Sequence, residues 1–165
     1  MLIGGLALSA WGIPRATLDV DLTLWVSAER LDEICLSLAS DYVPRVSAPV
    51  AFVHRTRVLP LATAQGVRVD FIFAAFPFEK NMIDRATVRP VGNVPVRVAS
   101  LEDLVLLKLP SPRAKDEEDI RVILENFRDR LDWEYLLGVA EMLSDALGQP
   151  SLAGSLRMRR PYTNR

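Results

Sequence analysis

The sequence predicts a mixed α and β fold, of the α+β or α/β class. A mixed sheet with helices occupies residues 1–99, and a small helical section occupies 100–148. Three observations predict it. Leu18 to Trp25 alternates at the period of a half-buried strand, and Val67 to Phe73 repeats that alternation. Beyond Ala99 the apolar residues recur at helical spacing instead. A length of 165 residues suits one domain, or one domain with a small appendage, and is enough to fold without a metal or disulfide staple.

In chain order, Met1 to Ile3 is apolar and meets the pair Gly4-Gly5. Leu6 to Trp11 is a good short helix former, stopped by Gly12 and Pro14. In the strand that follows, Leu18, Val20, Leu22 and Leu24 face one way, and Asp19, Asp21, Thr23 and Trp25 face the other. Ser27 is placed to cap a helix whose stripe is Leu31, Ile34, Cys35 and Leu38. Residues 43–75 are rich in strand formers. Strands are expected over Val50 to Leu59 and Val67 to Phe73, separated by the turn signal Gln65-Gly66. A short helix or loop near Phe78 to Arg85 leads to a strand over Val94 to Val98.

Ser100-Leu-Glu-Asp103 opens the helical section with a capping-box pattern, and Pro110 and Pro112 break its first helix. Lys115 to Phe127 restarts the helix with acids at its head and the stripe Ile120, Ile123, Leu124 and Phe127. Asp132 to Leu147 forms a further helix, ended by Gly148. Residues 149–165 are expected to be a flexible tail. Its Arg157, Arg159, Arg160 and Tyr162 are basic and aromatic groups of the kind that contact RNA, although a solvated tail explains them more simply.

Composition removes several chemistries. The net charge of -1 does not announce a nucleic acid or membrane partner. Cys35 is the only cysteine, which excludes an internal disulfide and a multi-cysteine zinc site. Its place on an apolar stripe reads as a small buried hydrophobe, and the cytoplasm is the natural compartment. His54 is the only histidine, and is expected in a strand or loop without a catalytic task. No segment reaches the roughly 18 apolar residues of a membrane helix, and the N-terminus lacks the basic start of a signal peptide. Chemistry must rest on carboxylates, arginines and the three lysines.

Asp19-Val20-Asp21 is the most informative tripeptide. Carboxylates at i and i+2 of a strand project from one face, where they repel each other unless a cation joins them. Mg²⁺ (or Mn²⁺) is held by one or two carboxylates together with substrate phosphates. Asp70 offers a third acid on a strand of the same alternation. If the two strands are neighbours, the three acids converge as two-metal phosphoryl transfer requires, with Asp70 as general base candidate. Exposed acids on a solvent face are the simpler explanation of such a tripeptide taken alone. Gly4-Gly5 upstream lets the backbone approach a phosphate, and Arg68 reads as an ion-pair partner of Asp70 on its own face.

Together these residues resemble a known family. Met1 to Leu24 reads h-h-h-G-G-x-A, then G-x-x-R-x-T-x-D-x-D-h. This is similar to the signature of the nucleotidyltransferase superfamily of DNA polymerase β type, in its minimal abortive-infection and toxin–antitoxin branch. Ser100 to Lys108, then Arg113, Lys115, Asp116 and Asp119, resemble the helical motif of that branch (s-h-E-D-h-h-x-x-K-h, then R-x-K-D-x-x-D). The resemblance spans about residues 1–127. It implies an α+β nucleotidyltransferase-like mixed sheet flanked by helices. It also implies catalytic, metal-binding roles for Asp19, Asp21 and Asp70, and nucleotide-binding roles for Gly4, Gly5, Arg15, Thr17, Lys108 and Asp116.

The implied activity is Mg²⁺-dependent transfer of NMP from an NTP to a hydroxyl of RNA or protein, in a toxin–antitoxin or phage-defence setting. A cognate toxin or antitoxin partner belongs to that picture, and homo-oligomerisation stays open. Two other readings use the same residues: a non-catalytic, antitoxin-like module that binds a partner, and a metal-dependent phosphohydrolase. Lys108 also reads as a snorkelling lysine at a helix end, and the acids from Asp116 to Asp119 as a solvated helix start. Relatives carry a helix and most of a strand ahead of the glycine pair, whereas this chain starts three residues before it. The first strand is therefore expected to be very short, with an earlier start or a neighbouring chain completing the sheet edge.

Overall fold

The computed structural model describes residues 1–161 and divides into two compact units, Met1–Ala99 and a second that begins at Ser100. The first unit is built on a seven-stranded mixed sheet. In chain order its elements are β1 (Leu2–Ile3), α1 (Gly4–Ala10), β2 (Val20–Trp25), α2 (Leu31–Asp41), β3 (Val43–Pro44), α3 (Pro49–Thr56), β4 (Val58–Ala62), β5 (Arg68–Ala74), α4 (Pro77–Arg85), β6 (Thr87–Val91) and β7 (Val94–Val98). The strand order is β3-β4-β5-β2-β1-β7-β6. The β2–β5 and β1–β7 pairs are parallel, and the others are antiparallel.

The alternation of Leu18 to Trp25 decides which face of the sheet is buried. Val20, Leu22 and Leu24 pack on a core formed by Leu31, Cys35, Val53, Leu59, Leu61, Val69, Phe71 and Phe73, which belong to α2, α3, β4 and β5. Cys35 is buried there as a small hydrophobe. The odd-numbered residues of β2 therefore face away from α2 and α3. Leu18 stays exposed because pairing begins only at Val20.

Several elements differ from the sequence expectation. Val50 to Leu59 is not one strand: α3 ends at Thr56, and β4 starts two residues later. Pro49 stands in the first turn of α3, where its missing N–H costs nothing, and Arg57 ends the helix in a left-handed conformation (φ 61°). His54 accordingly lies on a helix, with Nε2 2.7 Å from Asp32 Oδ1 of α2. Ser27 does not cap α2 directly; its carbonyl accepts from the Arg30 amide in a 3₁₀ turn ahead of the helix. β6 has no counterpart in the sequence reading. It tolerates Pro90 because it is an edge strand, and it joins β7 through the two-residue turn Gly92-Asn93, with Gly92 at φ 59°. β1 is very short, as expected, but it lies inside the sheet between β2 and β7 rather than at an edge.

The second unit comprises α5 (Leu101–Lys108), α6 (Ala114–Phe127), α7 (Trp133–Leu147) and α8 (Ser151–Arg157). Ser100 caps α5 by accepting from the Asp103 amide, and Asp132 caps α7 by accepting from the Tyr135 amide. Apolar stripes supply its core: Leu104 and Val105, Ile120 and Ile123, Leu136 and Ala140. Residues 151–157, expected as part of a flexible tail, form α8 instead. Ala153 and Leu156 are buried, and the Ser144 hydroxyl accepts from the Ala153 amide. Tyr162, one of the basic and aromatic groups of the tail, lies outside the described residues. Among the described residues, no helix is long and apolar enough to cross a membrane.

Candidate active site

β2 and β5 run side by side in parallel, and their register places Asp21 opposite Asp70. Neighbouring strands lie about 4.8 Å apart, so in-register residues present side chains to the same face. That face is the one turned away from α2 and α3, because the flanking Val69 and Phe71 enter the core. Asp19 stands just before β2. Arg68 Nε lies 4.0 Å from Asp19 Oδ1, and the Asp19 charge acts on Asp70. The strand neighbourhood on which convergence of the three acids depends is therefore present.

The glycine pair is built against these acids. β1 pairs with β2 so that Ile3 faces Asp21, and the chain then turns into α1 through Gly4. Gly4 has φ 69°, and a Cβ added there would lie 2.1 Å from Asp21 Oδ2. A Cβ on Gly5 would lie 2.9 Å from both Cβ and Cγ2 of Thr17. The two glycines thus allow backbone to pack directly on the Asp21 carboxylate and the Thr17 side chain. Thr17 Oγ1 in turn accepts from the Asp19 amide at 3.3 Å, which ties the bend before β2 to the acids. Arg15 is half-buried on the same connection and has interaction partners of its own.

The electrostatics of Asp70 combine opposing effects. Partial burial raises its carboxyl above the ordinary value. Arg45 pulls it down, Asp19 pushes it up and Arg68 pulls it down, with a net rise. Arg45 Nη1 donates to Asp70 Oδ1 at 3.4 Å. The cation on Asp70 is therefore Arg45, while Arg68, read from sequence as the partner of Asp70, reaches Asp19. Among the described residues, no three His, Cys, Asp or Glu side chains form a preassembled metal cage.

Lys108 and Asp116 belong to the second unit, where they bind each other. Lys108 Nζ donates to Asp116 Oδ1 at 2.9 Å and to Asp119 Oδ2 at 2.7 Å, and all three side chains are largely buried. Asp116 also accepts from Ser111 Oγ at 2.7 Å and from Arg113 Nε at 2.6 Å. Burial alone would raise the Asp116 carboxyl. The hydrogen bonds from Ser111, Lys108 and Arg113 outweigh it and hold the group at about 2. Lys108 is thus neither a snorkelling lysine nor a solvated one. Asp119 completes this network, and its spacing on α6 (three residues after Asp116) was the available signal.

Residues 1–148 match the family described as "Nucleotidyltransferase of unknown function (DUF6036)". The chain belongs to that family. The match covers the glycine pair, all three acids and the Lys108 network. A similar solved structure is the solution structure of the antibiotic-resistance factor ANT(2'')-Ia. It is 16% identical, with a TM-score of 0.55 over 91% of this chain and 85% of that one. The fold of this DUF6036 chain is therefore nucleotidyltransferase-like and α+β. A crystal structure of an antigenic nucleotidyltransferase-like protein from Paracoccidioides brasiliensis is 20% identical, with a TM-score of 0.47 over 93% and 83% of the two chains. Comparison with curated proteins gives no match.

Proposed function

We propose that this DUF6036 chain transfers NMP from an NTP to a hydroxyl of RNA or protein, with Mg²⁺ or Mn²⁺ as cofactor. The observation that carries the reading is the parallel β2–β5 register, which sets Asp21 beside Asp70, with the Gly4 backbone packed on the Asp21 carboxylate. The donor set fits a hard divalent cation. Such an ion needs only one or two protein carboxylates and completes its shell with water and substrate phosphates, so no preassembled cage is required.

Asp21 and Asp70, with Asp19 beside them, would hold the metal. When bound, the metal supplies charge neutralisation at the α-phosphate and lowers the cost of forming the attacking oxyanion. Asp70 is the candidate to take the proton of the acceptor hydroxyl. The acceptor oxygen then bonds to the α-phosphorus, the bond from that phosphorus to the β-phosphate bridging oxygen breaks, and pyrophosphate leaves. Gly4 and Gly5 keep the backbone close to the acids with no side chain in the way of the triphosphate. Thr17 and Arg15 lie on the connection that aims Asp19, and the nucleotide-binding roles of Lys108 and Asp116 rest on the family resemblance of their motif.

A cytoplasmic setting, where NTPs are abundant, agrees with this reading. The likeness of the glycine, acid and helical motifs to the toxin–antitoxin branch supports a role in such a system, with a cognate partner. The test is incubation of the protein with each α-labelled NTP, Mg²⁺ and a total RNA and protein extract. Label appearing on RNA or on a protein band supports transfer. Release of labelled nucleotide without a labelled acceptor supports hydrolysis instead, and no metal-dependent turnover supports a binding module.

A further inference from the structure

Arginines stand against Asp19 and Asp70. Arg68 reaches Asp19 only at 4.0 Å, from its own exposed position on β5. Arg45 is held more firmly. It follows β3, and its amide donates to the Pro60 carbonyl at 2.9 Å; Pro60 is the residue of β4 that pairs with Asp70. The backbone of Arg45 is thus pinned one strand beyond Asp70, and its side chain crosses β4 to place Nη1 3.4 Å from Asp70 Oδ1. Arg45 and Asp70 are 37% and 33% exposed, so the pair is neither fully solvated nor locked inside the protein.

We infer that Arg45 is a built-in competitor of the metal ion for Asp70, neutralising that carboxylate in the metal-free protein and giving it up when a divalent cation binds. The inference rests on the reading of Asp70 as a metal ligand. Acids gathered on one face repel each other, and some cation must offset that repulsion before the metal arrives. Arg45 is the cation hydrogen-bonded to Asp70, and so placed to do so there. Its single contact to one carboxylate oxygen is not the bidentate fork that makes such pairs strong, and a partly exposed pair of this kind contributes little to stability. A divalent ion, with twice the charge and a closer approach, displaces it. The displaced guanidinium still opposes the bound ion through its charge, so metal binding is weaker than the acids alone would give. An anionic substrate that takes up Arg45 removes the opposition, which couples metal loading to substrate.

The experiment is titration of the full chain with Mn²⁺ alone, following free Mn²⁺ by electron paramagnetic resonance, in wild type, Arg45→Met, Arg45→Lys, Asp70→Asn and Arg45→Met/Asp70→Asn. Methionine keeps the apolar stem and removes the charge; lysine keeps the charge. Thermal melts confirm that each variant is folded. The expected result is roughly tenfold tighter Mn²⁺ binding in Arg45→Met, from removal of a unit charge a few ångströms from a divalent ion. Arg45→Lys should stay within about twofold of wild type, and the double variant should lose the gain. Unchanged or weaker binding in Arg45→Met, with Asp70→Asn still impairing it, overturns the inference and leaves the metal site standing. If Asp70→Asn binds Mn²⁺ as tightly as wild type, or if no variant binds it, the reading of the site itself fails, and the inference with it.

Discussion

Gly4 leaves room for the carboxylate of Asp21. A Cβ at Gly4 would stand 2.1 Å from Asp21 Oδ2, well inside any real contact, and φ at Gly4 is 69°. Backbone conformation and space therefore demand glycine independently, and both bear on one of the acids that the β2–β5 register assembles.

Gly4→Ala is expected to destabilise the protein by about 1–2 kcal/mol through the left-handed backbone alone, and to displace Asp21. Chemical denaturation and Mn²⁺ titration together check this, since both should worsen. Gly138→Ala is the control. A Cβ on Gly138, in the middle of α7, meets nothing within 4 Å, so alanine there should stabilise by about 0.5–1 kcal/mol and leave metal binding alone.

Lys108→Met tests whether this lysine is structural. It leaves Asp116 and Asp119, both buried, without their shared cation. Breaking a buried pair from one side costs about 3–5 kcal/mol, so the melting temperature should fall sharply. A variant that melts like wild type but binds nucleotide poorly would assign Lys108 to the phosphates alone.

Asp116 sets a pH dependence. Its carboxyl is held at about 2 against an ordinary value of 3.8, with the hydrogen bonds from Ser111, Lys108 and Arg113 overcoming burial. A depressed carboxyl contributes its full stability above the unfolded value and loses it as pH falls through the folded one. The contribution, roughly 2 kcal/mol, should therefore be complete above about pH 4 and vanish by about pH 2. Denaturant melts across that window should show the loss in wild type and a flatter profile in Asp116→Asn.

Periodicity makes part of this molecule legible in its sequence. β2 can be read because Val20, Leu22 and Leu24 pack on one core, so its apolar residues alternate and Asp21 faces away from α2 and α3. The placing of Asp21 and Asp70 on one face follows from that same period of two. α3 is hidden because Val50 and Val53 look like strand residues, and the helix start depends on Pro49 in its first turn. β6 is hidden by Pro90, which only an edge position tolerates, and edge position is a property of the whole sheet. The Arg45–Asp70 contact joins residues 25 apart across β4, and no local pattern encodes it. Lys108 and Asp116 stand out in the sequence as residues, but their mutual pairing needs the packing of α5 against α6. α8 is masked because its short stripe, Ala153 and Leu156, only becomes apolar burial once α7 is beside it.

The central claim is that Asp21 and Asp70 form one metal-dependent nucleotidyl-transfer site. The most direct measurement is the rate of label transfer from an α-labelled NTP to the acceptor in wild type, Asp21→Asn and Asp70→Asn, each shown by circular dichroism to be folded. Asp21→Asn should abolish transfer, and Asp70→Asn should lower it by about two to four orders of magnitude. A folded variant of either acid that transfers label at the wild-type rate would contradict the account.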